Sequence, residues 1–173
     1  MATLLTNKTK VSELLQVAIG VEDTDFEKYI YEAQKFDLKP LVREDFYYDL
    51  LSKKDDEPWT KLIDGGEYEF KDRTYEFSGI GAVIAYFAYA RFFLNSSAVS
   101  TSFGIVTKNN PQSTPLILEE RRNVYYKKKE EANEIMKDAV LFIERNISDF
   151  ESWNSEGSCQ TNKNSSFNTR VIQ

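Results

Sequence analysis

Ser78-Gly-Ile-Gly-Ala-Val-Ile-Ala-Tyr-Phe-Ala-Tyr-Ala-Arg-Phe-Phe-Leu94 contains one charged residue, Arg91. From Gly79 to Leu94 the run is apolar on nearly every face, and a soluble helix of that kind has to be enclosed by other elements rather than laid on a surface. Crossing a membrane takes roughly 20 predominantly apolar residues. This run is shorter, carries Arg91 and stops at Asn95-Ser96-Ser97, so it reads as the central helix of a soluble bundle. Gly81, Ala82, Ala85, Ala88 and Ala90 alternate with Tyr86, Phe87, Tyr89, Phe92 and Phe93, which lets neighbours approach closely between rings. Each large side chain buried there contributes roughly 1.5–3 kcal/mol.

The flanks supply candidates to enclose it. Upstream, Thr24-Asp25-Phe26-Glu27 has the spacing of a capping box, and Phe26, Tyr29, Ile30, Ala33 and Phe36 follow at helical intervals, predicting a helix from about Asp25 to Leu38. Pro40 suits the start of a second helix, with Leu41, Phe46 or Tyr47, Leu50 and Leu51 inward and an end near Lys53. Asp55-Asp56-Glu57-Pro58 interrupts the chain, Trp59 to Ile63 is briefly apolar, and Gly65-Gly66 forms a turn. Tyr68 and Phe70, then Tyr75 and Phe77, alternate with charges around Lys71-Asp72-Arg73, the period-two pattern of a small hairpin.

Downstream, Ala98 to Thr114 is a long connection with apolar residues in Phe103-Gly-Ile-Val-Thr-Lys108, and connections of that length in a compact domain are commonly functional or locally structured. Thr114-Pro115 reads as the cap and first turn of a last helix, about Leu116 to Arg145. Its stripe of Val124, Lys128, Ala132, Ile135, Met136, Ala139, Phe142 and Ile143 faces inward, and one end is expected to project beyond a small bundle. Residues 147–173 turn to Ser, Asn, Thr and Glu with scattered Phe150, Trp153, Phe167, Val171 and Ile172, too few apolar groups to offset the roughly 1–2 kcal/mol per residue that ordering costs. Asp149-Phe150-Glu151-Ser152-Trp153 reads equally as a clasp folding back on the bundle or as a partner contact. The expected architecture is therefore mainly α: an N-terminal arm (1–23), a helical bundle around the central helix with a small β-hairpin and a long loop (24–146), and an extended C-terminal tail (147–173). Val11, Leu14, Leu15, Val17, Ile19 and Val21 leave the arm open between helix and edge strand.

Composition narrows the chemistry. The 173 residues are 41% hydrophobic and 14% aromatic, enough for one core and for contact surfaces built from rings. Net charge is −6, and residues 22–76 hold 17 acids against 9 bases, which argues against general nucleic-acid affinity. There is no histidine, hence no triad of the usual kind, and Cys159 stands alone in the tail. Asp23/Asp25, Asp55/Asp56/Glu57 and Glu130/Glu131/Glu134 lack a metal-loop spacing and read as solvated acids. Gly65-Gly66 and Gly79-Ile-Gly81 lack the rest of a phosphate loop. Arg121-Arg122 with Lys127-Lys128-Lys129, flanked by Glu119, Glu120, Glu130 and Glu131, is expected to pair mainly within its own helix. No catalytic, cofactor or metal residue is expected. The N-terminus has no signal-peptide shape, so a cytoplasmic setting is expected.

Two amphipathic helices, a Gly-Gly turn with an aromatic hairpin, Phe77-Ser-Gly-Ile-Gly-Ala-Val-Ile-Ala-Tyr-Phe-Ala-Tyr-Ala-Arg-Phe92, the Phe103 to Lys108 loop and a Lys/Glu-rich last helix resemble the head-to-tail connector proteins of tailed phages. The resemblance is nearest to the neck ring proteins of crAss-like phages and covers about Asp25 to Trp153. It implies a non-enzymatic virion protein, assembled in the host cytoplasm as a ring, expected to be dodecameric, beneath the portal protein and around the DNA channel. Other neck or tail proteins are further implied partners, DNA passes without sequence-specific binding, and no membrane is involved. Subunit or portal contacts are then expected at Phe103, Ile105, Val106, Phe150, Trp153, Phe167, Arg170, Val171 and Ile172, and removing 147–173 is expected to leave a folded bundle. A cellular helical interaction module and a carboxylate-dependent metal enzyme are the competing readings.

Overall fold

The computed structural model describes residues 3–17, 20–95, 98–101, 104–107 and 116–153. In chain order these form α1 (Lys8–Leu14), α2 (Asp23–Ala33), a π-helical turn (Gln34–Leu38), α3 (Lys39–Val42), α4 (Glu44–Ser52) and α5 (Trp59–Asp64). There follow the strands β1 (Gly66–Phe70) and β2 (Arg73–Phe77), α6 (Gly79–Asn95), the strands β3 (Ala98–Thr101) and β4 (Gly104–Thr107), and α7 (Leu118–Arg145) with a 3-10 turn at Ile147–Asp149. The protein is mainly helical, with the expected antiparallel β1–β2 hairpin and a second hairpin, β3–β4, in the connection between the two longest helices.

α6 is the central helix its composition predicts. Every residue from Gly79 to Ala85 is buried, as are Phe87, Ala88 and Ala90. α7 lies along it, α2 packs on another side, and α5 and α1 close the remainder. The all-round burial ends after Ala85: Tyr86, Tyr89 and Phe92 are only partly covered. Phe92 meets Phe26 and Tyr29 of α2 at ring separations of 5.2 and 5.8 Å. No described helix is long and apolar enough to cross a membrane.

Two glycines set the angle at which α5 delivers the hairpin to α6. Gly65 and Gly79 have φ of +81° and +76°, a region that costs any residue with a Cβ. A Cβ on Gly65 would stand 2.5 Å from the Phe77 carbonyl oxygen, and one on Gly79 would collide with the Ile63 carbonyl oxygen. The end of α5 and the start of α6 therefore touch backbone to backbone. Lys71 and Asp72, both with positive φ, make the two-residue turn between β1 and β2 that matches strand twist.

Three expectations are corrected. The capping box at Thr24–Glu27 does not form: α2 begins at Asp23, and the Glu22 carbonyl accepts from the Asp25 and Phe26 amides. The helix does not stop at Leu38 for Pro40 but passes through the π turn into α3, and the break falls at Arg43, whose φ is 69°. The segment read as an arm is part of the body. Asn7 caps α1 by accepting from the Lys10 amide, Leu5, Val11 and Leu15 enter the core, and the buried Gln34 side chain accepts from the Leu5 amide while donating to the Thr3 carbonyl. A single buried amide thus holds the first described residues to the π turn. Thr114-Pro115 lies outside the described residues, and α7 is described from Leu118.

Candidate functional site

α7 divides into two unlike halves, and the division defines the candidate surface. At ~1.5 Å per residue its 28 residues extend about 42 Å, far beyond the 17 residues of α6. Its buried residues are Ala132, Met136, Ala139, Phe142 and Ile143, all in the C-terminal half. Ahead of them, Leu118, Arg122 and Tyr126 recur at four-residue spacing and are all exposed, as are Ile117 and Leu116 just before the helix. Ile117 and Tyr126 are 60% and 61% exposed, so most of each side chain lies outside the chain's own core. The helix start is closed by Glu120, which accepts from the Ile117 amide at 3.2 Å and so satisfies one of the amides a helix start leaves open.

What keeps α7 aligned is a charged node at mid-height. Asp37, on the π turn and 5% exposed in its side chain, accepts from Arg91 Nε of α6 at 2.6 Å and from Lys129 Nζ of α7 at 2.9 Å. A π turn shifts the register of a helix locally, and here it brings both Gln34 and Asp37 to the buried side. Arg91 also lies 3.5 Å from Glu32 and over the Phe36 ring, and Lys129 lies over Phe87 and Tyr125. Burial pulls the Lys129 and Arg91 pKa values down, but the hydrogen bond and charge of Asp37 outweigh it and both end above their ordinary values. The one charge on the central helix is therefore a strut tying three elements. Arg121 adds a second tie by donating to the Leu94 carbonyl at 3.1 Å.

Beyond the α6 C-terminus, β3 and β4 pair antiparallel from Ala98↔Thr107 to Thr101↔Gly104. They form no extended contact with any other described element. The sequence from Ser96 to Thr107 has neither a charge nor a proline, the devices that usually blunt exposed strand edges. Ile105 and Val106 lie on β4, with Val106 in register with Val99 and Ile105 with Ser100. Of the other expected contact residues, Phe103, Phe167, Arg170, Val171 and Ile172 lie outside the described residues.

Phe150 and Trp153 are corrected from contact residues to core residues. After Arg145 the 3-10 turn reverses the chain, and Phe150 and Trp153 become 0% and 5% exposed. Phe150 sits 5.1 Å from the Trp59 ring and 6.0 Å from Phe142, and Trp153 stands 4.9 Å from Phe46. Of the two readings open for Asp149–Trp153, the clasp is the one formed. The body therefore runs to Trp153 rather than ending at 146, and a cut at 147 would remove core. Nearby, Arg145 donates to Tyr68 Oη at 2.6 Å and lies 3.9 Å over the Tyr75 ring, fastening the β1–β2 hairpin to the same end.

The carboxylates expected to be solvated acids have ordinary partners where any is seen. Asp23 pairs with Lys8, Asp25 with Lys28, Asp55 with Lys54, Glu131 with Lys128 and Glu134 with Lys137. Among the described residues no group of three or more Asp, Glu, His or Cys is placed to hold a metal. The basic cluster pairs within its helix only in part: Lys128 does so, but Lys129 reaches 92 residues back to Asp37, a long-range contact that no local spacing announces.

One open groove, about 710 Å³, runs along α2 between Leu4, Thr24, Glu27, Lys28, Tyr31, Glu32 and Phe36. Phe36 is 57% exposed and Tyr31 38%, so the groove has an aromatic floor open to solvent. Sequence reasoning placed Phe36 on the inward stripe of its helix. The π turn rotates it out, a shift that a regular 3.6-residue period does not contain.

No curated protein and no solved structure is significantly similar to the chain. Residues 38–163, more than half of the chain, match the family described as "Family of unknown function (DUF6712)", and the protein belongs to that family.

Proposed function

We propose that the protein is a non-enzymatic assembly subunit, a head-to-tail connector of a phage virion that closes into a ring between portal and tail around the DNA channel. The observation that carries this reading is the open end of the α6–α7 pair. There a charge-free two-stranded hairpin, marginal alone in water, follows α6, and the first described residues of α7 are apolar and exposed. Apolar surface and unpaired strand edges concentrated at one end are what a subunit buries on joining its neighbours. The resemblance in element order gives that surface its setting: the β3–β4 hairpin faces the channel or a neighbouring subunit, and the segment after Trp153 reaches the portal. The acidic surplus of residues 22–76 suits a wall past which DNA slides without binding.

Electron microscopy of the purified protein, alone and mixed with a candidate portal protein, tests the reading. Closed rings of uniform copy number, seated coaxially on the portal, are the expected result. Discrete one-to-one complexes without rings would contradict it and would fit a cellular interaction module. Tight divalent-metal binding in a calorimetric titration would contradict it in favour of a carboxylate-dependent enzyme.

A further inference from the structure

The groove on α2 and the exposed stripe on α7 are complementary in chemistry: each offers apolar side chains, and Glu27 on one and Arg122 on the other carry opposite charges. The groove offers Leu4, Tyr31 and Phe36 as apolar contact, and of the five acids between residues 22 and 32, Asp23, Asp25 and Glu32 are engaged by Lys8, Lys28 and Arg91. The α7 stripe offers Leu118 and Tyr126 with the exposed Arg122 between them. Glu32 already leans on Arg91, whereas Glu27 at the groove lip is exposed. Both surfaces face solvent in the same folded chain, so neither serves as the other's partner within one molecule.

We infer that the α2 groove receives the first turns of α7 from a second copy of this chain, with Leu118 and Tyr126 on the aromatic floor and Arg122 paired to Glu27. This is the helix-in-groove mode, in which anchors on one helix face, here about two turns apart, supply the contact and the charge between them fixes the register. Donor and acceptor are different patches, so the contact is head-to-tail and repeats from copy to copy, closing into a ring where the rotation per step permits. The inference rests on the ring-subunit reading and names the interface that builds the ring. It also accounts for the Asp37 node: tying the π turn to α6 and α7 holds groove and stripe at one fixed angle within each subunit.

A charge-reversal cycle on the full-length chain, read by sedimentation equilibrium at concentrations up to about 1 mM, the weak end of the affinity scale, tests it. Glu27→Arg and Arg122→Glu lie on exposed positions and should leave the thermal melt unchanged. Each alone sets like charges face to face and is expected to weaken self-association about tenfold, and the double variant should return it to within about threefold of the original. Self-association that neither single reversal alters would overturn the inference while leaving a ring built by some other surface. Loss of self-association only on truncation after Trp153 would instead make residues 154–173 the occupant, again overturning it. A chain that stays monomeric throughout would overturn both the interface and the ring.

Discussion

The two ends of α7 are built from one continuous helix yet meet opposite surroundings. At the C-terminal end Phe142 stacks on Phe77 at 4.4 Å and touches Tyr68 at 4.9 Å, and Phe150 and Trp153 fold back to close an aromatic cluster with Phe46 and Trp59. At the N-terminal end Leu116, Ile117, Leu118 and Tyr126 have no core to enter. Hydrophobic content alone does not distinguish the ends; what differs is whether the chain returns to cover them. A helix end covered by its own chain adds its apolar burial to the monomer, and one left uncovered does not.

The comparison is broken most severely by emptying the clasp. Phe150→Ala removes a ring that is wholly enclosed and is expected to cost about 3–5 kcal/mol, seen as a large fall in the midpoint of urea unfolding. A variant ending after Trp153 should keep the parent stability, whereas one ending after Asn146 should lose it. Next in size is the node that fixes both ends to α6. Asp37→Ala leaves Arg91 and Lys129 facing each other without their shared carboxylate. Breaking a buried ion pair costs ~3–5 kcal/mol. The cations here are 20% and 33% exposed in their side chains, so solvent reduces the expected loss to about 1–3 kcal/mol in the same measurement.

That ordering also shows what could be read from residues alone. The all-apolar run fixed α6, and periodicity found β1–β2, α7 and its buried stripe, because each depends on local spacing. The π turn was not legible: Gln34, Phe36 and Asp37 continue a helical pattern, and their outward or inward placement depends on one extra residue in a turn. The clasp was only half legible, since Phe150 and Trp153 sit in a polar stretch and their partners Phe46 and Trp59 lie about a hundred positions away in the chain. The Asp37 node had no local signal at all. Of the candidate surface, the long connection was marked out by its length and its apolar residues, but the α2 groove depends on Leu4 being brought beside Phe36 through Gln34.

At the open end substitutions should leave stability nearly untouched. Ile117→Ser and Leu118→Ser are expected to change it by no more than about 0.5 kcal/mol, while lowering self-association in sedimentation velocity. A stability loss comparable to that of Phe150→Ala would show that this end is covered after all. The smallest expected effect is in alkaline solution. Lys129 is held above its ordinary 10.5, so on raising pH the unfolded chain loses this proton first. The contribution of the Lys129–Asp37 pair is thus complete below pH 10.5 and disappears as pH rises through the higher folded-state value. Lys129→Met should flatten the stability profile in that window and leave it unchanged at neutral pH apart from a constant offset.

The central claim is that association covers the open end and leaves the clasp as it is. Amide hydrogen exchange followed by mass spectrometry, on the chain when dilute and when assembled, tests it most directly. The account predicts new protection across 98–107 and 116–126 on assembly, with exchange across 139–153 already slow and unchanged. Protection gained across 139–153 with none at 98–107 or 116–126 would contradict it.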